Sequence, residues 1–290
     1  MSPDVPLHST HPVRAPSGPP PALLPPPPIA PFEEAGYGLR FARDEADLEA
    51  VQRLRFEVFN RELNEGFEAS WASGLDRDPF DAQCHHLMLE APGGPLVGTY
   101  RVQTRQQAEQ GRGFYCDQEY DLSTLEPVTD RGVEVGRACI ARDHRNGAAL
   151  FALWRGLART LERAGKRYLF GCCSLTSRDP REGWALEERL QAGGHVHPTW
   201  RVLPRELHRC VQHGRSDDPV VVTLPRLFAT YLRYGARVCS PPAVDHEFGT
   251  IDWLVVLDAR TLPARLWRLF FGDLFSSPEA IDAAAEEELA

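Results

Sequence analysis

Residues 133–175 read VEVGRACIARDHRNGAALFALWRGLARTLERAGKRYLFGCCSL, and their pattern decides the fold. Val133 to Ala141 is a β-rich run, Asp143 to Gly147 a polar turn, and Ala148 to Ala164 carries Leu150, Leu153, Trp154, Leu157 and Leu161 on one helical face. Gly165 stands where glycine closes a helix, and Tyr168 to Leu175 is almost wholly apolar, as a buried strand is. The unit is strand, turn, helix, strand. Its turn brings free backbone N–H groups and the positive end of a helix dipole to one point, a ready site for the phosphates of a thioester carrier.

The 290 residues are 42% apolar, enough for a real core, and carry a net charge of −9, so no global nucleic-acid footprint exists. No apolar run approaches the roughly 20 residues of a membrane-spanning helix, and no signal peptide is read at the N-terminus. Seven scattered cysteines without C-x-x-C spacing predict a reduced, cytoplasmic setting. Twelve of the 25 prolines fall before residue 32, so residues 1–36 are expected to be a disordered, proline-rich arm. Residues 37–275 are expected to be one domain, and 276–290 an acidic tail.

Further along the chain, Gly38 to Ala42 is predicted as a strand and Asp44 as the N-cap of a helix to about Asn60. Residues 61–83 are acidic with large aromatic anchors, the look of a loop that covers substrate. A hairpin over His85 to Glu90 and Leu96 to Gln103 presents Arg101, which needs an internal carboxylate such as Glu134 or an anionic ligand. His195 and His197 share a strand face without a third ligand, so no metal is expected. Asp245 and Asp252 are open to two readings, loop capping or contact with an acceptor. Leu262 to Phe275 is amphipathic, aromatic and basic: peripheral contact with the inner face of a membrane is one reading, a terminal helix packed on the core the favoured one.

Six motifs in order carry a family resemblance from about Leu39 to Asp258. They are R-x-x-V-F-x-x-E-L from Arg55, D-x-x-D at Asp78 and Asp81, V-G-T-Y-R ending at Arg101, E-V-G-R from Glu134 to Arg137, L-W-R-G from Leu153, and G-C-C-S from Gly171. The chain resembles the GNAT-fold acyltransferases that include acyl-homoserine-lactone synthases, long-chain N-acyl amino acid synthases and ornithine N-acyltransferases, the last group most closely. The resemblance implies a GNAT-like α/β fold, a mixed central sheet flanked by helices. It also implies N-acylation of a small amino acid, ornithine first, by a fatty acyl thioester, giving a lyso-ornithine-lipid precursor. A long-chain synthase with another acceptor and a non-catalytic carrier-binding module are the alternatives.

The resemblance assigns Glu134 as general base and Arg137 as the residue holding the site or the acceptor, with Arg55, Phe59, Asp78, Asp81 and Arg101 at the acceptor. Residues three apart on a regular strand face opposite sides, so Glu134 and Arg137 can share a pocket only if the strand bulges, which Gly136 permits. Arg142, Arg145, Asn146, Gly147 and Ala148 are expected to bind the phosphopantetheine arm. This turn departs from the Q/R-x-x-G-x-G/A pattern: counted from Arg145, Ala148 and Leu150 replace small-residue positions. The departure favours acyl carrier protein over acyl-coenzyme A as donor, with no permanently bound cofactor. Arg155, Arg159 and Lys166 lie within roughly 40° around the helix and form a basic stripe suited to steering an acidic carrier protein.

Overall fold

The computed structural model describes residues 23–212 and 220–282. The chain opens with β1 (Phe32–Glu34) and β2 (Tyr37–Phe41), followed by α1 (Glu45–Phe56), whose N-cap Asp44 accepts the Asp47 amide. A turn of π-helix (Glu57–Glu62) prolongs α1 and α2 (Ser70–Ser73) follows. Next come β3 (His85–Glu90) and β4 (Leu96–Thr104), then α3 (Arg105–Gln110), α4 (Cys116–Glu119) and α5 (Glu126–Asp130). The quoted unit becomes β5 (Gly132–Ile140), α6 (Gly147–Arg163) and β6 (Tyr168–Leu175). Beyond it lie α7 (Pro180–Ala192), α8 (Arg226–Arg233), β7 (Arg237–Val238), β8 (Ala243–Asp245), β9 (Thr250–Asp258) and α9 (Ala264–Phe271).

One mixed sheet runs β1-β2-β3-β4-β5-β6-β9-β7, with β8 paired to β9. All pairings are antiparallel except β5 with β6, the pair that α6 connects. Alternation along β3 assigns the two faces: Leu87 and Leu89 join the large core with α6, while Met88 packs with Val51 of α1. Gly156 lets α6 lie close on the sheet, because a Cβ there would stand 2.5 Å from Leu87 Cδ2. Gly165 ends α6 at φ +56°, as its position requires.

Two features shape the site. β5 carries one extra residue: Arg101 pairs with Gly136 and Thr99 with Cys139, so Arg137 and Ala138 together oppose Tyr100. The left-handed conformation falls on Arg137 itself, at φ +50°, not on Gly136. Second, β5 and β6 pair only over 132–134 and 168–170. Beyond that point β5 stays with β4 and β6 with β9, and a cleft opens between them. Gly171 stands at the fork, where a Cβ would meet the Val135 carbonyl oxygen at 2.1 Å.

Several expectations need revision at the edges. Phe32–Glu34, inside the expected arm, is a sheet strand, whereas residues 1–22 lie outside the described residues. At the other end Ile281 is buried and Asp282 bonds Arg131, Arg167 and Arg260, so the chain is tied to the domain through 282; the rest of the expected tail lies outside the described residues. The apolar face of α9 is spent on the core, with Trp267, Phe270 and Phe271 buried beside α6. Among the described residues no helix is long and apolar enough to cross a membrane.

Candidate active site

The cleft between β5 and β6 leads into a cavity of about 770 Å³. Glu134 and Arg137 both line it, as the bulge allows. Glu134 is buried and its carboxylate is held by three donors: the Gln103 amide at 2.5 Å and the backbone N–H groups of Tyr115 at 3.0 Å and Cys116 at 2.8 Å. Gln103 and not Arg101 is therefore its cross-strand partner. A carboxylate offers about four acceptor positions, so one remains, on Oε1.

Arg137 reaches the other way. Its Nη2 donates to Asp78 at 2.6 Å, and its guanidinium lies 4.5 Å from the Phe248 ring centre, 4.9 Å from Tyr115 and 5.1 Å from Phe67. The aromatics of the 61–83 loop and of the Phe114-Tyr115 segment thus wall this side.

Arg55, Arg101 and Arg137 are opposed by Asp76, Asp78 and Asp81 in one buried ion cluster. Arg55 is 0% exposed and donates to Asp76 at 2.7 Å and Asp81 at 2.8 Å. Arg101 Nη1 lies 2.7 Å from Asp78 and 3.4 Å from Asp81. Burial would raise the Asp81 carboxyl, but Arg55, His86 and Arg101 outweigh it and hold it well below the usual carboxylate range. Asp78 is lowered in the same contest, by Arg101 and Arg137.

This arrangement changes several expected roles. Of the five residues expected at the acceptor, Phe59 and Arg101 line the cavity, whereas Arg55, Asp78 and Asp81 stand behind it. The two aspartates are paired with arginines, Asp78 with Arg101 and Arg137 and Asp81 with Arg55 and Arg101. Sequence spacing gave no warning, because the pairing runs between α1, β4, β5 and a loop.

At the other lip, Arg142 is exposed, Arg145 bonds Glu62 at 2.5 Å and the Ile140 carbonyl at 2.8 Å, and Asn146 caps α6 by accepting the Ala149 amide. Gly147 and Ala148 open the helix at the surface, beside the cleft. The basic stripe is not a solvent face. Arg155 is buried, bonded to Glu34 at 3.1 Å and Asp273 at 2.5 Å, and Arg159 lies over the Phe32 ring at 4.1 Å. Lys166 donates to the Asp130 carbonyl. β1 and the chain after α9 cover what the helix wheel left open.

The cavity's inner arm is apolar, walled by Leu153, Trp154 and Leu157 of α6, Phe228 and Tyr231 of α8, and Val255 of β9. It runs under the helix whose N-terminus borders the cleft. Sequence reasoning did not place the α8 residues there.

The acetyltransferase (GNAT) domain family matches residues 54–155, from the end of α1 through the first half of α6. The L-ornithine N(alpha)-acyltransferase of Rhodobacter capsulatus is 33% identical over 243 residues, 78% of this chain and 91% of that protein. The chain belongs to the ornithine Nα-acyltransferase family. The proteins of the same name from Brucella abortus and Rhizobium meliloti are 29% and 30% identical, covering 78% and 84% of this chain and 86% and 88% of their own. Among solved structures, the acyl-homoserine-lactone synthase LasI matches 81% of this chain and 95% of its own at 12% identity and a TM-score of 0.44. FeeM, an N-acyl amino acid synthase from uncultured soil microbes, matches 82% and 98% at 11% identity and a TM-score of 0.43. The protein is a GNAT-type acyltransferase, and in this family frame the cavity has the parts the reaction class needs: a held carboxylate, an open strand edge and an apolar arm.

The acidic residues near β9 were the least legible. Asp245 does cap its loop, accepting the Glu247 and Phe248 amides at 2.9 and 2.8 Å, and also takes the Tyr115 hydroxyl at 2.9 Å. Asp252 accepts no loop amide among the described residues, and its side-chain neighbours include Thr250 and Ser174. It lines the cavity, and its buried Oδ1 has no hydrogen-bond partner among the described residues. The expected pair His195 and His197 lies at a single β-bridge made by Val196, with His197 stacked on Trp200.

Proposed function

We propose that the protein transfers a fatty acyl group from an acyl-carrier thioester to the α-amine of L-ornithine. The observation that carries this reading is the single cavity that joins Glu134 and Arg137 at its polar end to an apolar arm beneath α6 and α8. An amine and a long acyl chain must meet in one enclosed space for amide formation, and this cavity has a wall for each.

The amine nitrogen attacks the thioester carbonyl while its proton passes to the free acceptor position of Glu134 Oε1. The charge on the carbonyl oxygen is met by N–H groups of β5 beyond Val135, on the edge that β6 has left. The carbon–sulfur bond then breaks, and the carrier thiol leaves with the proton. Arg137 and Arg101, fixed by Asp78, attract the acceptor's α-carboxylate. The donor arm enters at the α6 N-terminus past Arg142, Asn146, Gly147 and Ala148. The departure of this turn from the coenzyme A pattern supports acyl carrier protein as the donor.

Purified protein is to be given L-ornithine with a long-chain acyl-carrier protein or the matching acyl-coenzyme A, and products read by mass spectrometry. N-acylornithine formed faster from the carrier protein is the expected result. Equal or better use of coenzyme A removes the carrier-protein assignment. An N-acyl derivative of another amino acid only, from a mixture containing ornithine, removes the acceptor.

A further inference from the structure

The charges around the cavity do not balance locally. The arginines at its polar end are matched by Asp76, Asp78 and Asp81. Across the cleft, on β8, β9 and α4, stand Asp245, Asp252 and Glu119, all buried, and no arginine or lysine among the described residues forms an ion pair with any of them. Asp245 and Asp252 line the cavity, and Glu65 adds a third carboxylate to that side of the lining, its side chain bonded to Thr176.

Among the described residues, Asp252 Oδ1 and Glu119 Oε2 are buried without a hydrogen-bond partner, their residues 4% and 2% exposed, although the Thr250 and Ser174 hydroxyls stand beside the Asp252 carboxyl. A buried oxygen of this kind is met by an ordered water, an ion or a ligand, and the one on Asp252 belongs to a residue that lines the cavity. Glu119 lies beyond it, with its Oε1 3.9 Å from Cys172 Sγ. Burial and the Asp245 carboxylate push the Asp252 carboxyl up to about 7, and burial with Asp252 and Asp245 raises Glu119 well above the usual carboxylate range, Arg137 opposing. Ser174 and Thr250 offset part of the Asp252 shift, and Arg137 and Cys172 part of the Glu119 shift.

The group is also close to the reacting end. Glu134 bonds the Cys116 amide, Cys116 Sγ lies 3.5 Å from Cys172 Sγ, and Cys172 shares a 4.8 Å cluster of donor atoms with Glu119 and Asp252. One cavity thus presents a base, an arginine able to take a carboxylate and, a short side chain away, a buried cluster of carboxyl groups that an entering cation would favour in their charged form. An amino acid with a cationic side chain matches all three.

We infer that Asp252, backed by Glu119 and Asp245, binds the side-chain ammonium of the acceptor and so selects a cationic amino acid. The inference rests on the acyl-transfer reading of the same cavity. Asp252 supplies the direct contact through Oδ1; Asp245, already holding Tyr115 and two amides, supplies charge without moving. The same donor atoms have the spacing of a metal site, and since metal binding would itself release the thiol proton, the competition between a cation and the acceptor ammonium is decided by the chelator arm of the test.

The test compares L-ornithine with L-norvaline, which keeps the α-amine, carboxylate and three-carbon chain and lacks the cation. Wild-type kcat/KM is expected to favour ornithine by roughly 100-fold or more, since a site built for a charged hydrogen-bonding group rejects the analogue without it. Asp252→Asn, nearly isosteric, should lower that ratio by roughly 100-fold, and Glu119→Gln by a smaller factor. Wild type that uses norvaline as well as ornithine would leave acyl transfer intact and overturn the inference. So would an Asp252→Asn enzyme whose ratio is unchanged while both rates fall. Wild type that acylates neither acceptor sinks both readings. If Asp252→Asn does not fold, the Glu119→Gln ratio decides, and a ratio unchanged from wild type would overturn the inference. The ratio should survive treatment with a chelator; a preference that appears only with added Zn²⁺ or Mn²⁺ would give the cluster to a metal.

Discussion

Replacing Arg55 with Met separates a substrate role from a structural one. Arg55 is wholly buried and makes four hydrogen bonds, to both carboxylates of Asp76 and Asp81 and to the Asp76 carbonyl. Removing one member of a buried pair costs about 3–5 kcal/mol, because the partner charge stays behind. Here the residual charge is partly met: Asp81 keeps the Gln52 amide at 2.9 Å and Arg101 at 3.4 Å, and Asp76 keeps Arg137 at 3.6 Å. The lower end, about 3 kcal/mol, is therefore expected, a large share of the roughly 5–15 kcal/mol that holds a domain folded. Urea unfolding at pH 7, followed by circular dichroism, measures it. A variant within about 0.5 kcal/mol of wild type that nonetheless loses activity would refute the argument and return Arg55 to the substrate.

Other outcomes follow from the same geometry. His86 is buried and its imidazole is lowered to about 4, chiefly by desolvation. It is neutral in the fold and charged when unfolded, so stability is full above pH ~6.5 and falls as pH drops toward ~4; His86→Gln should flatten that part of a pH series of unfolding free energies. Gly171→Ala should lower the melting temperature more than Gly156→Ala, because the first meets a backbone oxygen at 2.1 Å and the second the end of a leucine at 2.5 Å. Arg155→Ala should cost stability and leave the KM for the acyl donor unchanged, since its charge is spent on Glu34 and Asp273, whereas reversing the exposed Arg142 should raise that KM.

The sequence was legible where one element decides its own shape. The period of Leu150 to Leu161, Asp44 as cap, Gly165 as stop and the apolar run Tyr168 to Leu175 each placed an element within a residue or two. The need for a bulge between Glu134 and Arg137 was equally readable, because strand alternation forbids their meeting otherwise. What spacing could not tell is which charges cancel. Arg55, Asp78 and Asp81 carry the same letters whether they face substrate or one another, and only the meeting of four segments shows the latter. Arg155 was misplaced for a related reason: a helical wheel does not know that β1 and residue 273 come to cover it. The orphaned oxygen of Asp252 is a property of the packed interior, with no local pattern to announce it.

The most direct test of the account is the rate of N-acylornithine formation by Glu134→Gln, with acyl-carrier protein saturating and folding verified by its melting curve. Loss of a positioned general base is expected to lower kcat by roughly 10²- to 10⁴-fold, with the KM for ornithine little changed. A folded variant that makes the product at the wild-type rate would contradict the assignment of Glu134 as the group that takes the amine's proton.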